Sequence, residues 1–163
     1  MKSESTENKG KPHSSVPSTL PTILIQSLVD NYRDNQLTYI NENLGVDDAH
    51  SIWFDLPTLK SFIQDIEEQA HLIDPNIPDA DLGVRFYYAA YPEEPQEPVP
   101  TDYGKRHTLV MIPTKIQAGL NYDFNPFEEL GEALAVAAIK PVMALAQNHG
   151  CLVPPNTSQI ESY

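Results

Sequence analysis

The sequence predicts an α+β fold: a three- or four-stranded, mainly antiparallel sheet packed with about three helices. Three observations carry this reading. Leu59, Phe62, Ile63, Ile66, Ala70 and Ile73 recur at helical spacing. Leu82–Tyr91 and His107–Pro113 are two apolar runs, near enough in sequence to pair as a hairpin. With 163 residues, 40% of them hydrophobic, the chain can bury a core of its own.

Residues 1–19 are rich in Ser, Thr, Asn, Lys and Pro and cannot offset the entropy of ordering, so they read as a disordered tail. They contain no 7–15-residue apolar stretch and so are not a secretory signal. A single domain is expected over 20–156, and 157–163 as a C-terminal tail. Pro21 suits the first turn of a helix, with Ser18 or Thr19 as cap, and that helix runs over about 21–43 to a terminating Gly45. Its apolar stripe is Ile25, Leu28, Val29, Tyr32, Ile40 and Leu44, with Leu37 and Tyr39 off it. Ser51–Phe54 reads as a strand, and Asp55 followed by Pro57 as the start of the second helix.

Pro75 and Pro78 make 74–81 a loop. In the strand from Leu82, the residues Val84, Phe86, Tyr88 and Ala90 form the expected core face, opposite Arg85, Tyr87, Ala89 and Tyr91. Leu109-Val110-Met111-Ile112 is continuously apolar, which marks a strand buried on both faces and hence central. The connection from Pro92 to Arg106 is long for a hairpin and proline-rich, the kind of loop that carries function or moves. Gly119, Asn121 and Asp123 mark a turn. Asn125-Pro126-Phe127-Glu128 matches a helix start, and an Ala-rich helix follows to Gln147, broken at Pro141 and capped by Gly150.

The charge excludes more than it identifies. Twenty-three acids against ten bases give a net −13, and residues 1–20 are slightly positive, so the domain itself carries the excess. It is densest over Glu42–Asp81, with a second focus at Glu93, Glu94, Glu97 and Asp102. Such a surface argues against nucleic acid or anionic membrane as partners and favours a basic protein. One Cys excludes an intrachain disulfide, and no apolar run approaches a membrane span. A cytoplasmic setting is expected. No phosphate loop, dinucleotide fingerprint, serine-nucleophile turn or calcium loop is present, so no cofactor is expected.

Two constellations could still carry chemistry. Arg85, Tyr87 and Tyr91 share a strand face, with His107 at the start of the facing strand. Guanidinium, phenol and imidazole there could line a pocket for a small ligand or substrate, with the proline-rich loop closing over it; the plainer account packs the rings under a helix and pairs Arg85 with one of the many acids nearby. Asn148-His149-Gly150-Cys151 sets an imidazole two residues from a thiol, and His107 could join His149 and Cys151 as metal ligands. The plainer account is a helix end, with His149 at the negative end of the dipole.

The segments Ile52-Trp-Phe-Asp-Leu-Pro-Thr-Leu-Lys, Leu82-Gly-Val-Arg-Phe-Tyr-Tyr-Ala-Ala-Tyr-Pro, Thr108-Leu-Val-Met-Ile-Pro-Thr and Asn148-His-Gly are laid out in a way that resembles a family of small bacterial proteins of unknown function, over residues 25–156. The resemblance implies a self-contained bacterial cytosolic domain and transfers no activity and no functional residue. The leading expectation is a non-enzymatic interaction or regulatory module that uses its acidic surface or the 92–106 loop toward a basic protein or a second copy of itself. The ligand pocket and the metal site are the alternatives.

Overall fold

A computed structural model describes residues 19–127, 143–159 and 161–163. The first helical rod runs from Thr22 to Gly45. It comprises α1 (Thr22–Asn31), a π-helical stretch (Tyr32–Leu37) and α2 (Thr38–Leu44), with no break in backbone conformation at either junction. Pro21 is its N-cap rather than its first helical residue. No side chain caps there, and the Pro21 carbonyl accepts from Leu24 N and Ile25 N at 3.0 and 3.2 Å. Gly45 ends the rod in the left-handed region at φ 61°. A π turn holds one residue more than an α turn, and Thr38 Oγ1 donates five residues back to Arg33 O at 2.9 Å. That extra residue rotates Leu37, off the regular stripe, into the interior; it is the one buried residue of the rod.

α3 (Leu56–Ile73) forms as its sequence dictates. Asp55 caps it by accepting from Thr58 N at 2.8 Å, and Pro57 lies in the first turn. Its Phe62, Ile66 and Ala70 are buried. Phe62 and Ile66 meet Met111 in the central cluster, with Phe54, Leu59, Leu82, Val84 and Leu145 packed around it.

Two antiparallel sheets replace the single expected one. The larger has the order β2 (Leu82–Ala90), β3 (His107–Gln117), β4 (Leu120–Asp123), and β3 is central as its apolar run requires. β2 and β3 are the expected hairpin, in register from Leu82 opposite Lys115 to Ala90 opposite His107. β3 continues four residues past Pro113, and Asn121 and Asp123, expected in a turn, lie in β4. The turn is only Ala118–Gly119, both at positive φ (50° and 78°), which matches the strand twist. Pro113 is tolerated inside β3 because its missing N–H would face the side where β4 ends. There its carbonyl accepts from Phe124 N at 2.9 Å, and Gln147 bridges to Met111 just beyond.

The smaller sheet pairs β1 (Ser51–Trp53) with β5 (Cys151–Val153). The Ala-rich helix expected to Gln147 falls largely outside the described residues. Residues 143–150 are not helical and, apart from a bridge of Gln147 to Met111, carry no regular structure, so Gly150 is not a helix cap. It leads into β5, and a Cβ there would collide with Ile52 and Phe54. The expected core face of β2 also holds only in part. Val84 packs inward, but Phe86 and Tyr88 are 54% and 93% exposed, because α3 covers only the Leu82 end of the sheet. The C-terminal residues turn back on the rod: Arg33 Nη1 donates to Tyr163 O at 2.6 Å, and Glu161 lies 3.4 Å from Arg33 and 3.2 Å from His50. No helix among the described residues is long and apolar enough to cross a membrane.

Candidate functional site

The four side chains expected to share one pocket are divided among three places. Arg85 and Tyr87, on the β2 face turned away from α3, both reach across β3 to the Asp123 carboxylate. Arg85 Nη2 also donates to Asn121 O at 3.0 Å. The Tyr87 hydrogen bond first, and the Asp123 charge after it, push the Arg85 guanidinium further above its ordinary range. The Arg85 guanidinium and the Tyr87 hydroxyl are thus both engaged by Asp123 at the sheet surface, away from the hollow that holds Tyr91.

His107 is held by Asp48. The carboxylate is wholly buried and accepts from His107 N at 2.6 Å and from the ring at Nδ1, while Asp48 N donates to Asn41 Oδ1 at 3.0 Å. With Asp48 ionised, Nδ1 carries the proton of that bond. A buried carboxylate needs such partners, and the pair locks the start of β3 to the segment after α2. Tyr32 lies nearby; burial first, then the Asp48 charge, pushes its hydroxyl above the usual phenol range.

Tyr91 stands in a hollow of about 420 Å³ between the proline-rich loop and the segment leading into β5. Its ring lies 5.7 Å from that of Tyr103, tilted by 42°. Pro98, Val99 and Pro100 supply apolar wall, and Asn148, His149 and Cys151 the opposite side. The loop is a built structure and not a loose flap. Tyr91 N donates to Arg106 O, Lys105 N to Pro92 O and Val99 N to Gln96 O, at 3.0–3.2 Å, and Lys105 Nζ lies 2.5 Å from Glu93. Gly104 is required where the loop crosses itself, since a Cβ there would stand 2.5 Å from the Glu93 carbonyl oxygen.

The polar groups of the hollow are fixed by local bonds. Asn148 Oδ1 accepts from Tyr91 Oη and Thr108 Oγ1, both at 2.9 Å, and Asn148 Nδ2 donates to no group among the described residues. Gln147 Oε1 accepts from both His149 N and His149 Nδ1 at 2.8 Å, which in a neutral imidazole sets the proton on Nδ1 and leaves Nε2 as the acceptor. Tyr103 Oη accepts from Leu152 N at 3.2 Å. Burial, with Cys151 close by, raises its hydroxyl above the phenol range. The result is two phenol rings, proline faces, one amide donor and one imidazole acceptor.

His149 and Cys151 thus line the same hollow as Tyr91, while His107 is tied to Asp48. No three His, Cys, Asp or Glu side chains among the described residues are grouped to hold a metal. Sequence reasoning missed Tyr103, for which the signal was an aromatic residue inside the proline-rich loop, and Asp48 and Asp123, whose partners lie 59 and 38 residues away. No protein-family model matches the chain, and comparison with curated proteins and with solved structures returns no match.

Proposed function

We propose that the protein is a non-enzymatic binding module that takes a basic, proline- or arginine-containing segment of a cytoplasmic partner protein into the hollow between Tyr91 and Tyr103. The observation that carries this reading is the charge of the loop that walls an otherwise apolar, aromatic hollow. Glu94, Glu97 and Asp102 are all exposed on it, while Lys105 is paired with Glu93. Flat phenol rings and prolines give sequence-tolerant contact with proline faces or guanidinium planes. Asn148 Nδ2 can bond a main-chain carbonyl. The surrounding acids draw a basic segment in and repel an anionic one.

The test is a titration of the full chain against fluorescent peptides, basic and proline-containing in one set, acidic in the other. Basic peptides are expected to bind, with affinity falling as salt rises. Tyr103→Ala should weaken binding about tenfold or more, as loss of a buried aromatic anchor does. Glu94→Lys with Glu97→Lys should slow association while leaving dissociation nearly unchanged. Absence of binding to every basic peptide, or binding indifferent to both salt and Tyr103→Ala, overturns the reading.

A further inference from the structure

β2 is an edge strand nine residues long, and its outer side is unpaired among the described residues. Backbone groups on an antiparallel strand alternate between its two neighbours. Met111 exchanges both its backbone bonds with Gln147, on the side of β3 away from β2. Phe86, opposite Met111, is therefore in a non-hydrogen-bonded position, and its own N–H and C=O point outward. By the same alternation Val84, Tyr88 and Ala90 point theirs outward too, while Arg85, Tyr87 and Ala89 bond to β3.

Exposed edges of this length are ordinarily short, bulged, charged or covered. This one carries Phe86 and Tyr88, both exposed, and no proline. It is also where the electrostatics relent. From Leu82 to Pro92 there is no acid and one base, Arg85, in a chain of net charge −13. Two copies of so acidic a protein repel over most of their surfaces but not along this strand.

We propose that β2 pairs with β2 of a second copy, antiparallel about a two-fold axis at Phe86. This joins the two three-stranded sheets into one continuous sheet. The axis follows from the outward backbone groups. Centred on Phe86, the register sets Phe86 against Phe86 of the partner subunit and Val84 against Tyr88 of the partner subunit, each in hydrogen-bonding position and apolar against apolar. A two-fold contact of this kind closes on itself, so the edge is used up and cannot template further growth.

The full chain is expected to run in light scattering at twice its 18.2 kDa mass. Phe86→Pro removes only an outward N–H and breaks no bond between β2 and β3. It should give a single-chain mass with an unchanged far-ultraviolet spectrum, and Phe86→Lys should do the same without altering the backbone. In a Cys151→Ser background, Phe86→Cys should cross-link on mild oxidation, since hydrogen-bonded cross-strand Cα atoms lie about 5.5 Å apart. Val84→Cys should not, because its two copies would be about 13 Å apart along the strands. A single-chain mass for the unaltered protein, a dimer that survives both Phe86 variants, or cross-linking at 84 in preference to 86 would overturn the pairing. These readouts are independent of peptide binding at the hollow.

Discussion

The connection from β2 to β3 runs from Pro92 to Arg106, and the connection from β3 to β4 is Ala118–Gly119. Both join neighbouring antiparallel strands, and two residues at positive φ are enough for that task. The longer connection does something else with its additional residues. It bonds to itself, stands its prolines and Tyr103 opposite Tyr91, and makes a hollow that the short turn has no chain to build. The sheet sets only where a loop begins and ends. The loop's own bonds decide whether it becomes a wall.

The largest effect is expected where the long connection is anchored. His107→Ala leaves the buried Asp48 carboxylate with one N–H and no ring, and should cost about 2–4 kcal/mol in denaturant unfolding. A loss under about 0.5 kcal/mol would mean that the loop is held by its internal bonds alone. Gly150→Ala, in the segment facing the loop just before β5, pushes a methyl into Ile52 and Phe54 and should cost about 1–3 kcal/mol. It should also weaken peptide binding, whereas a change in binding without loss of stability would separate the hollow from the packing beneath it.

Each connection also holds one non-glycine residue at positive φ, Ala118 at 50° and Lys105 at 64°. Ala118→Asn should stabilise the protein by about 0.5–1 kcal/mol, because Asn accepts the left-handed region more readily. Lys105→Asn should gain less, since it also removes the pair with Glu93. Equal gains would show that this pair is idle. The smallest effect lies outside both connections and calibrates the rest. Hydrogen bonds from Thr58 hold the Asp55 carboxyl below its ordinary 3.8. The cap therefore contributes stability above that value and loses it as pH falls through the depressed one. Thermal midpoints of the native chain and Asp55→Ala should differ at neutral pH and converge in strong acid.

What could be read in advance was what is local. Asp55 and Pro57 announce α3, Gly45 ends the rod, and the two apolar runs pair as a hairpin because each carries its own signal. β4 was hidden because its four residues are all exposed and leave no alternation to read. β5 is three residues whose partner, β1, lies about a hundred positions earlier, and Gly150 before it looks like any helix stop. The site divided in the same way. Tyr91, His149 and Cys151 were suspected from their types and do line one hollow. Arg85, Tyr87 and His107 were suspected for equally good reasons and are engaged by acids; that Arg85 would pair with an acid was the plain reading, but which acid no local pattern could nominate. Phe86 and Tyr88 fit an inward stripe by alternation, but the extent of covering by α3 decides burial, and that is a property of the assembled layers.

The π turn in the first rod carries one more consequence. It acts as a phase shifter, letting a single helix address two surfaces that an unbroken α-helix would leave out of step. Asn41, on α2, receives the N–H of Asp48, whose carboxylate holds the first residue of β3. Deleting a single residue between 32 and 37 would restore an ordinary α-helix. Drawing the same residues into an ordinary α-helix without that deletion would instead swing everything after them by about 100°, carrying Asn41 away from that N–H. The rod and the sheet are thus geared together through a miscount of one.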